Sequence, residues 1–221
     1  MDKKQTWLEA QQWEKEWHDD CINSYNEETK QFTYASLMGL NAFLQNYYGQ
    51  RFWDMGSKSI LDVGCGPYSM LLKVKTSGAK YGVDPIRYPD WVLHRYHAAK
   101  IQFIEYPAEC LDFPINYEIY GQELPAFVDF TKNPVDEAWI YNCLQHVQDP
   151  EKIISNVKKC AKVIRIFEWI DQGISPGHLH DLKEHKLNDW LGGKGQVYNI
   201  AERGCYGSCY HGIFKGEHYG K

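Results

Sequence analysis

The apolar positions change their period twice along the chain. From residue 1 to about 55 they fall at helical spacing. Trp7, Leu8, Trp13 and Trp17 are separated by charged residues, and Leu37, Leu40, Phe43 and Leu44 recur within 32–48. Gly49 and Gly56 are the expected stops. This stretch reads as an N-terminal helical cap, either packed plainly on the main domain or lying as a lid over a ligand.

From 59 to about 170 the period shortens, and apolar runs alternate with helical stretches. Strands are expected at 59–63, 79–83, 101–104, 137–141 and 162–167. A helix is expected at 150–160, with Ile153, Ile154 and Val157 on one face. Such alternation implies a parallel sheet with helices on both faces. Residues 111–134 hold Pro114, Gly121, Pro125 and Pro134 and read as an inserted loop or short helix. Beyond 171 glycines interrupt the chain repeatedly. Two last strands, 196–201 and 210–214, then read as an antiparallel hairpin joined through Arg203-Gly204-Cys205-Tyr206-Gly207. Residues 56–221 therefore form one expected domain under the 1–55 cap.

Composition narrows the choice of class. The 221 residues are enough for one domain with a real core. The formal net charge of −5 does not suggest a nucleic-acid-binding face. No run of about 18 apolar residues is present, so no membrane span is expected. The N-terminus lacks the apolar core of a signal peptide. Seven scattered cysteines, an odd number, fit reduced thiols in a cytoplasm. The aromatic share of 15% is high, and such rings serve either a core or a ligand pocket.

The candidate chemistry gathers after the first strand. Gly64 and Gly66 follow an apolar run and precede Met70-Leu71-Leu72. A strand, a glycine turn and a helix start let a ligand approach bare backbone, and the helix-start N–H groups favour a strong acceptor. Three details refine the reading. Asp62 can receive an ammonium group or order water around one. The dinucleotide fingerprint fails, because Ser69 holds its third glycine position. Asp84, 18 residues beyond Gly66, ends the second strand, where a carboxylate can accept bonds from both ribose hydroxyls. These features describe a nucleoside carrying an amine rather than a pyrophosphate.

At this point the chain resembles the class I S-adenosylmethionine-dependent methyltransferases. Leu61-Asp62-Val63-Gly64-Cys65-Gly66 is similar to their glycine-rich first motif, and Tyr81-Gly82-Val83-Asp84 to the acidic end of their second strand. Tyr106-Pro107-Ala108-Glu109 resembles the segment that meets the adenine. Val135 through Val147, with Asp149-Pro150, resembles the fourth motif and the helix after it. The resemblance covers about 59–170. It implies a Rossmann-like, mostly parallel seven-stranded α/β sheet with helices on both faces, closed by the antiparallel hairpin. It also implies S-adenosylmethionine as cofactor and S-adenosylhomocysteine as product. The implied cofactor residues are Asp62, Gly64, Cys65, Gly66 and Tyr68 at the turn, then Asp84 and Pro85 at the ribose. Ala108 and Glu109 would flank the adenine, and Tyr141 and Asn142 the methionine moiety. Plainer roles remain: a strand-end cap for Asp84, a solvated loop acid for Glu109. Tyr68 stands where the family often has glycine, so the loop bends differently or the phenol lines the pocket.

A methyl group on a positive sulfur needs alignment more than activation. Proximity alone supplies on the order of 7–11 kcal/mol in good cases. A hydroxyl acceptor gains from a general base, by about 10²–10⁴-fold. The candidates are His146, on an expected helix, and His178 and His180 after the fifth strand; helix packing or a surface loop is the alternative for each. Neither His178, His180 and His185 nor Cys205, Cys209 and His211 matches a compact zinc pattern, so no metal is expected. The paired prolines of nucleic-acid amino-methyltransferases are missing after Asn142. A small-molecule or sugar-like acceptor is therefore expected, methylated on oxygen or nitrogen. Tyr117, Tyr120, Trp169, Trp190 and Tyr198 are possible walls, and 177–193 is the specificity loop. The competing readings are a cofactor-binding protein without catalysis, a nucleic-acid or protein methyltransferase, and a nucleotide-sugar or nicotinamide enzyme on a similar sheet. The last would want a third glycine at the turn.

Overall fold

The computed structural model describes residues 3–19, 21–40, 43–45, 49–118, 120, 126–202 and 205–220. Its central sheet holds β1 (Ile60–Val63), β2 (Lys80–Asp84), β3 (Ile101–Glu105), β4 (Val135–Tyr141), β5 (Ala161–Trp169), β6 (Gln196–Glu202) and β7 (Cys205–Lys215). The strands lie in the order β3-β2-β1-β4-β5-β7-β6. The first five run parallel, whereas β7 pairs antiparallel with both β5 and β6. All four residues of β1 are buried, which requires cover on both faces. One apolar core packs Ile153, Ile154 and Val157 against Leu61, Ala138 and Ile164. The other packs Tyr34 and Met38 with Trp139 and Phe167 across the opposite face.

The helices are α1 (Lys3–Asp19), α2 (Cys21–Leu37), α3 (Asp90–Ala98), α4 (Pro150–Cys160) and α5 (Glu184–Leu191). The expected 150–160 helix forms as α4. Asp149 caps it by accepting from Lys152 N, and Pro150 fills a first-turn position that needs no donor. Arg165 fastens the end of α2 to the sheet. Its Nη1 donates to Met38 O at 2.7 Å, while its Nε meets the buried Glu137 at 2.6 Å. None of the described helices is long and apolar enough to cross a membrane.

Four expectations are corrected. The helix expected at 32–48 stops at Leu37, because Gly39 takes φ +77° and Leu40 N bonds back to Ala35 O, closing a Schellman turn. Phe43–Gln45, Arg51–Asp54 and Val74–Lys75 then form a small sheet, so 1–55 is not helical throughout. Residues 41, 42 and 46–48 of that stretch lie outside the described residues. Second, the glycine turn leads into a single 3-10 turn, Met70–Lys73, rather than a helix. Third, 144–147 is a turn, and the helix waits for the Asp149-Pro150 signal. Fourth, the 111–134 insertion holds an antiparallel pair, Ile115–Tyr117 with Ala126–Val128. Residues 119 and 121–125 of it, and Arg203 and Gly204 of the expected hairpin turn, are outside the described residues.

Candidate functional site

The carboxyl ends of β1, β2, β4 and β5 meet at one edge, the place where open parallel sheets present ligand sites. There β1 delivers Gly64 and Gly66 at φ +66° and +59°. Neither tolerates a side chain easily in that conformation. A Cβ on Gly66 would meet nothing nearer than His18 Nε2 at 4.0 Å, so the turn shows bare backbone to the cleft. The turn's own donors are already used. Gly64 N and Cys65 N bond Val83 O, Gly66 N bonds Asp84 Oδ2, and Met70 N bonds the Tyr141 hydroxyl. The expected anion-seeking helix start is therefore absent. Its four-residue 3-10 replacement spends those N–H groups inside the protein.

Asp62 does not line the cleft. Every β1 side chain is buried, and Asp62 Oδ2 lies under the turn, bonded by Ser69 Oγ at 2.5 Å and the Tyr141 hydroxyl at 2.6 Å. Its Oδ1 has no hydrogen-bond partner among the described residues. Burial pushes its pKa up to about 7 against the pull of those two bonds. Asp84 stands differently. It is nearly buried, accepts from Gly66 N and from Ile86 N, and borders the cleft. Burial raises it to about 6, with the backbone bonds opposing.

The cleft has two parts. A narrow slot of about 80 Å³ runs past Asp84, Pro85, Ala108 and Glu109. A chamber of about 420 Å³ lies beside it, walled by Trp13, Trp17, Tyr68, Tyr141, Trp169, His146 and His178. Gly64, Gly66 and Asn142 border both, as do Glu14 and His18 of α1. Asn142 sits at φ +49° and donates to Glu27 Oε1 at 3.1 Å, tying the end of β4 to α2.

No protein-family model and no curated protein sequence matches this chain. Solved structures do. The plantazolicin methyltransferase BpumL, in complex with a monoazolic desmethylPZN analog and S-adenosylhomocysteine, superposes at TM-score 0.53 with 13% identity. That match covers 97% of this chain and 98% of that one. The related enzyme BamL, with a triazolic analog and S-adenosylhomocysteine, gives 0.52 and 12% over 97% of each chain. The N-methyltransferase NodS from Bradyrhizobium japonicum WM9, with S-adenosylhomocysteine, gives 0.51 and 11% over 86% and 88%. This chain has the class I S-adenosylmethionine-dependent methyltransferase fold.

Within that methyltransferase fold the residues expected at the site separate into two groups. Gly64, Cys65, Gly66, Tyr68, Tyr141 and Asn142 border the chamber, and Asp84, Pro85, Ala108 and Glu109 the slot. The Glu109 carboxylate is turned away to accept from Gln148 N at 2.9 Å, beside the start of α4. His146 and His178 face each other with ring centroids 5.0 Å apart. His180 is directed elsewhere: its Nε2 meets Val147 O at 2.8 Å, and it borders neither part of the cleft. Of the five suggested aromatic walls only Trp169 reaches the chamber. Tyr117 bonds Gln102 beyond β3, and Tyr198 is exposed. Among the described residues no group of three potential ligands could hold a metal.

Sequence reasoning allowed the cap as a lid over a ligand but named no residue of α1 at the site. His146 Nδ1 lies 2.7 Å from Gly177 O and 3.0 Å from Glu14 Oε1. Burial pulls the imidazole down, but the adjacent Glu14 carboxylate and the Gly177 carbonyl outweigh it and hold His146 above its ordinary pKa. His178 is lowered by burial and by His146. Behind them Glu168, fully buried, accepts from Cys143 N and Leu144 N, and burial pushes it up to about 7. Of the three charged residues between Trp13 and Trp17, Glu14 is the one spaced four from Ala10 and three from Trp17, on the same helix face, and that spacing is the signal that could have found it.

Proposed function

We propose that this protein transfers the methyl group of S-adenosylmethionine to oxygen or nitrogen of a small-molecule or sugar-like acceptor. The observation that carries this reading is Asp84. It closes β2, braces the glycine turn through Gly66 N, and faces a slot that offers the apolar side chains of Val83, Ala108 and Val147 beside the polar Gln11, Glu14, His18 and Asn142. A nucleoside would lie there with its ribose at the carboxylate and its base against Ala108, and because the slot holds only about 80 Å³, side chains of α1 such as Trp7 must give way to admit it. The bare backbone at Gly66 gives room for the rest of the cofactor to reach the chamber. When bound, the cofactor supplies an electrophilic methyl group already activated by positive sulfur.

The chain's own residues then hold, align and exclude water. Asp84 and Pro85 hold the ribose, and Gly64, Cys65, Gly66, Tyr68, Tyr141 and Asn142 surround the methionine end. Trp13, Trp17 and Trp169 wall the chamber with apolar surface, which orients an acceptor and keeps it dry. His146 or His178 takes the acceptor proton where the acceptor needs it. The net charge of −5 and the relatives with small-molecule analogs bound support a small acceptor over a nucleic acid.

Calorimetry tests the donor reading. S-adenosylhomocysteine is expected to bind and NAD is not. Asp84→Ala is expected to weaken S-adenosylhomocysteine more than tenfold, a loss of about 1.4 kcal/mol or more. Binding of NAD instead would overturn the reading, and an unchanged affinity in Asp84→Ala would remove Asp84 from the ribose. A tritiated-methyl screen over metabolite pools then identifies the acceptor.

A further inference from the structure

Resting on that reading, we propose that Glu14 is the positioning residue of the reaction's base, so that α1 completes the site as well as covering it. The argument starts from one ring nitrogen. His146 Nδ1 faces two oxygens, Gly177 O at 2.7 Å and Glu14 Oε1 at 3.0 Å. Nδ1 hydrogen-bonds the Gly177 carbonyl, so it carries the proton and donates there, while Glu14 Oε1 stands at ion-pair distance and accepts no hydrogen bond among the described residues. The neutral ring is then the Nδ1–H tautomer, and its lone pair lies on Nε2. Among the described residues nothing bonds Nε2, and the ring borders both slot and chamber. The available lone pair therefore stands at the junction where a methyl acceptor would meet the donor.

Glu14 reaches the ring only because α1 is laid across the cleft. Gln11, one turn earlier, donates its Nε2 to His146 O at 2.9 Å, so two residues of α1 grip the same distant turn. The charged neighbours of His146 come from three elements. Glu14 and His18 lie on α1, Glu168 on β5 and His178 on the following loop. Glu168 accepts from Cys143 N and Leu144 N through Oε1 and makes no ion-pair contact with the ring among the described residues, and His18 and His178 carry no negative charge. Glu14 is thus the carboxylate that contacts the imidazole among the described residues. The step is a proton transfer. The acceptor's O–H or N–H proton passes to Nε2, its bonding pair stays on the acceptor atom, and imidazole becomes imidazolium. The Gly177 carbonyl fixes the tautomer that can receive the proton, and Glu14, 3.0 Å from Nδ1, offsets the charge that forms and so holds the ring poised for it.

The test is a pH titration of the full-length protein by nitrogen-15 histidine NMR, with and without S-adenosylhomocysteine. Wild-type His146 is expected to show a protonated Nδ1 in its neutral form and to titrate above the ordinary histidine range. Glu14→Gln is expected to weaken proton binding at His146 by about tenfold or more, the effect of removing an adjacent opposite charge. Glu16→Gln removes an exposed charge from the same helix and is expected to leave His146 unmoved. Should Glu14→Gln fail to fold, Glu14→Asp retains the charge one methylene further back and is expected to give an intermediate value. An equal response to Glu14→Gln and Glu16→Gln overturns the assignment, as does an unmoved value in Glu14→Asp. Failure of the wild type to bind S-adenosylhomocysteine overturns the donor reading instead, and the titration reports on the pair independently.

Discussion

The floor of the cleft comes from strand ends whose side chains are almost wholly buried, whereas its roof comes from a helix that buries very little. Asp62 and Glu168 are inaccessible, and Tyr141 and Asp84 nearly so. Along α1, Ala10 is the one buried residue among those whose side chains are described. The floor is bonded to itself, Asp62 to Ser69 and Tyr141, Tyr141 to Met70, and Asp84 to Gly66. The roof touches it through a few long-range polar contacts, Gln11 and Glu14 on His146 among them. A rigid floor can keep a fixed ligand geometry, and a lightly held roof can leave and return. The two kinds of surface therefore divide the work of one site.

The sharpest way to break the comparison is to crowd both surfaces equally. A Cβ on Gly64 would lie 2.6 Å from Cys143 Cβ, and one on Gly177 would lie 2.5 Å from the Trp13 ring. Gly64 also sits at φ +66°, and Cys143 is fixed in the buried floor. Gly64→Ala is expected to cost about 3 kcal/mol, from overpacking plus a left-handed backbone. Trp13 is 41% exposed and its ring can swing away. Gly177→Ala is expected to cost about 1 kcal/mol or less. Chemical denaturation of the two variants measures the difference; equal losses would mean that the roof is as rigid as the floor.

The same contrast explains what was legible beforehand. The strands, α4 and the glycine turn are written locally: an apolar run, a Gly-x-Gly, an Asp-Pro start. Asp84 and Ala108 could be placed at the cleft because a strand end fixes where they go. Asp62 was placed in the cleft and lies beneath it, because a strand buried on both faces hides a side chain that motif spacing cannot orient. The helix after the turn was expected from Met70-Leu71-Leu72, yet those residues are drawn into the core after one 3-10 turn. Glu14, His18 and Gln11 were illegible for a different reason. Their partners are more than a hundred residues away in the case of Gln11, and only packing brings them together.

A second, smaller effect sharpens the floor's side of the comparison. Buried Asp62, Asp84 and Glu168 have pKa values pushed up to about 7, 6 and 7. A raised carboxyl binds its proton more tightly folded than unfolded. Its stabilisation is complete below the unfolded value and is lost as pH rises through the folded one. His146, also raised, acts with the same sign from about pH 6.5 upward. His18, His178 and His211 are lowered mainly by burial and act oppositely, but only below their unfolded value of 6.5. Between pH 6.5 and 8 the carboxyls prevail. Stability is expected to fall there by about 1–2 kcal/mol, several degrees in Tm. A Tm that rises across this window would mean that the floor carboxyls are ionised at little cost.

The smallest effect concerns Tyr68, the residue that replaces a glycine of the family motif and lies where floor meets roof. Its carbonyl accepts from the Gln31 side chain of α2, while its ring packs 5.9 Å from Trp91 and carries the Arg95 guanidinium 5.1 Å above it. Those contacts draw the ring toward α3, although the residue still borders the chamber. If the ring mainly clamps Arg95, Tyr68→Ala loses about 0.5–1 kcal/mol of stability, as expected for an exposed cation–π pair. S-adenosylhomocysteine affinity then stays within a few-fold, and Tyr68→Phe, whose lost hydroxyl makes no hydrogen bond among the described residues, changes neither. Paired calorimetry and thermal melts separate the two roles. A tenfold loss of affinity in Tyr68→Ala with an unchanged melt would place the ring against the cofactor, and the floor would then extend one residue further than its buried network.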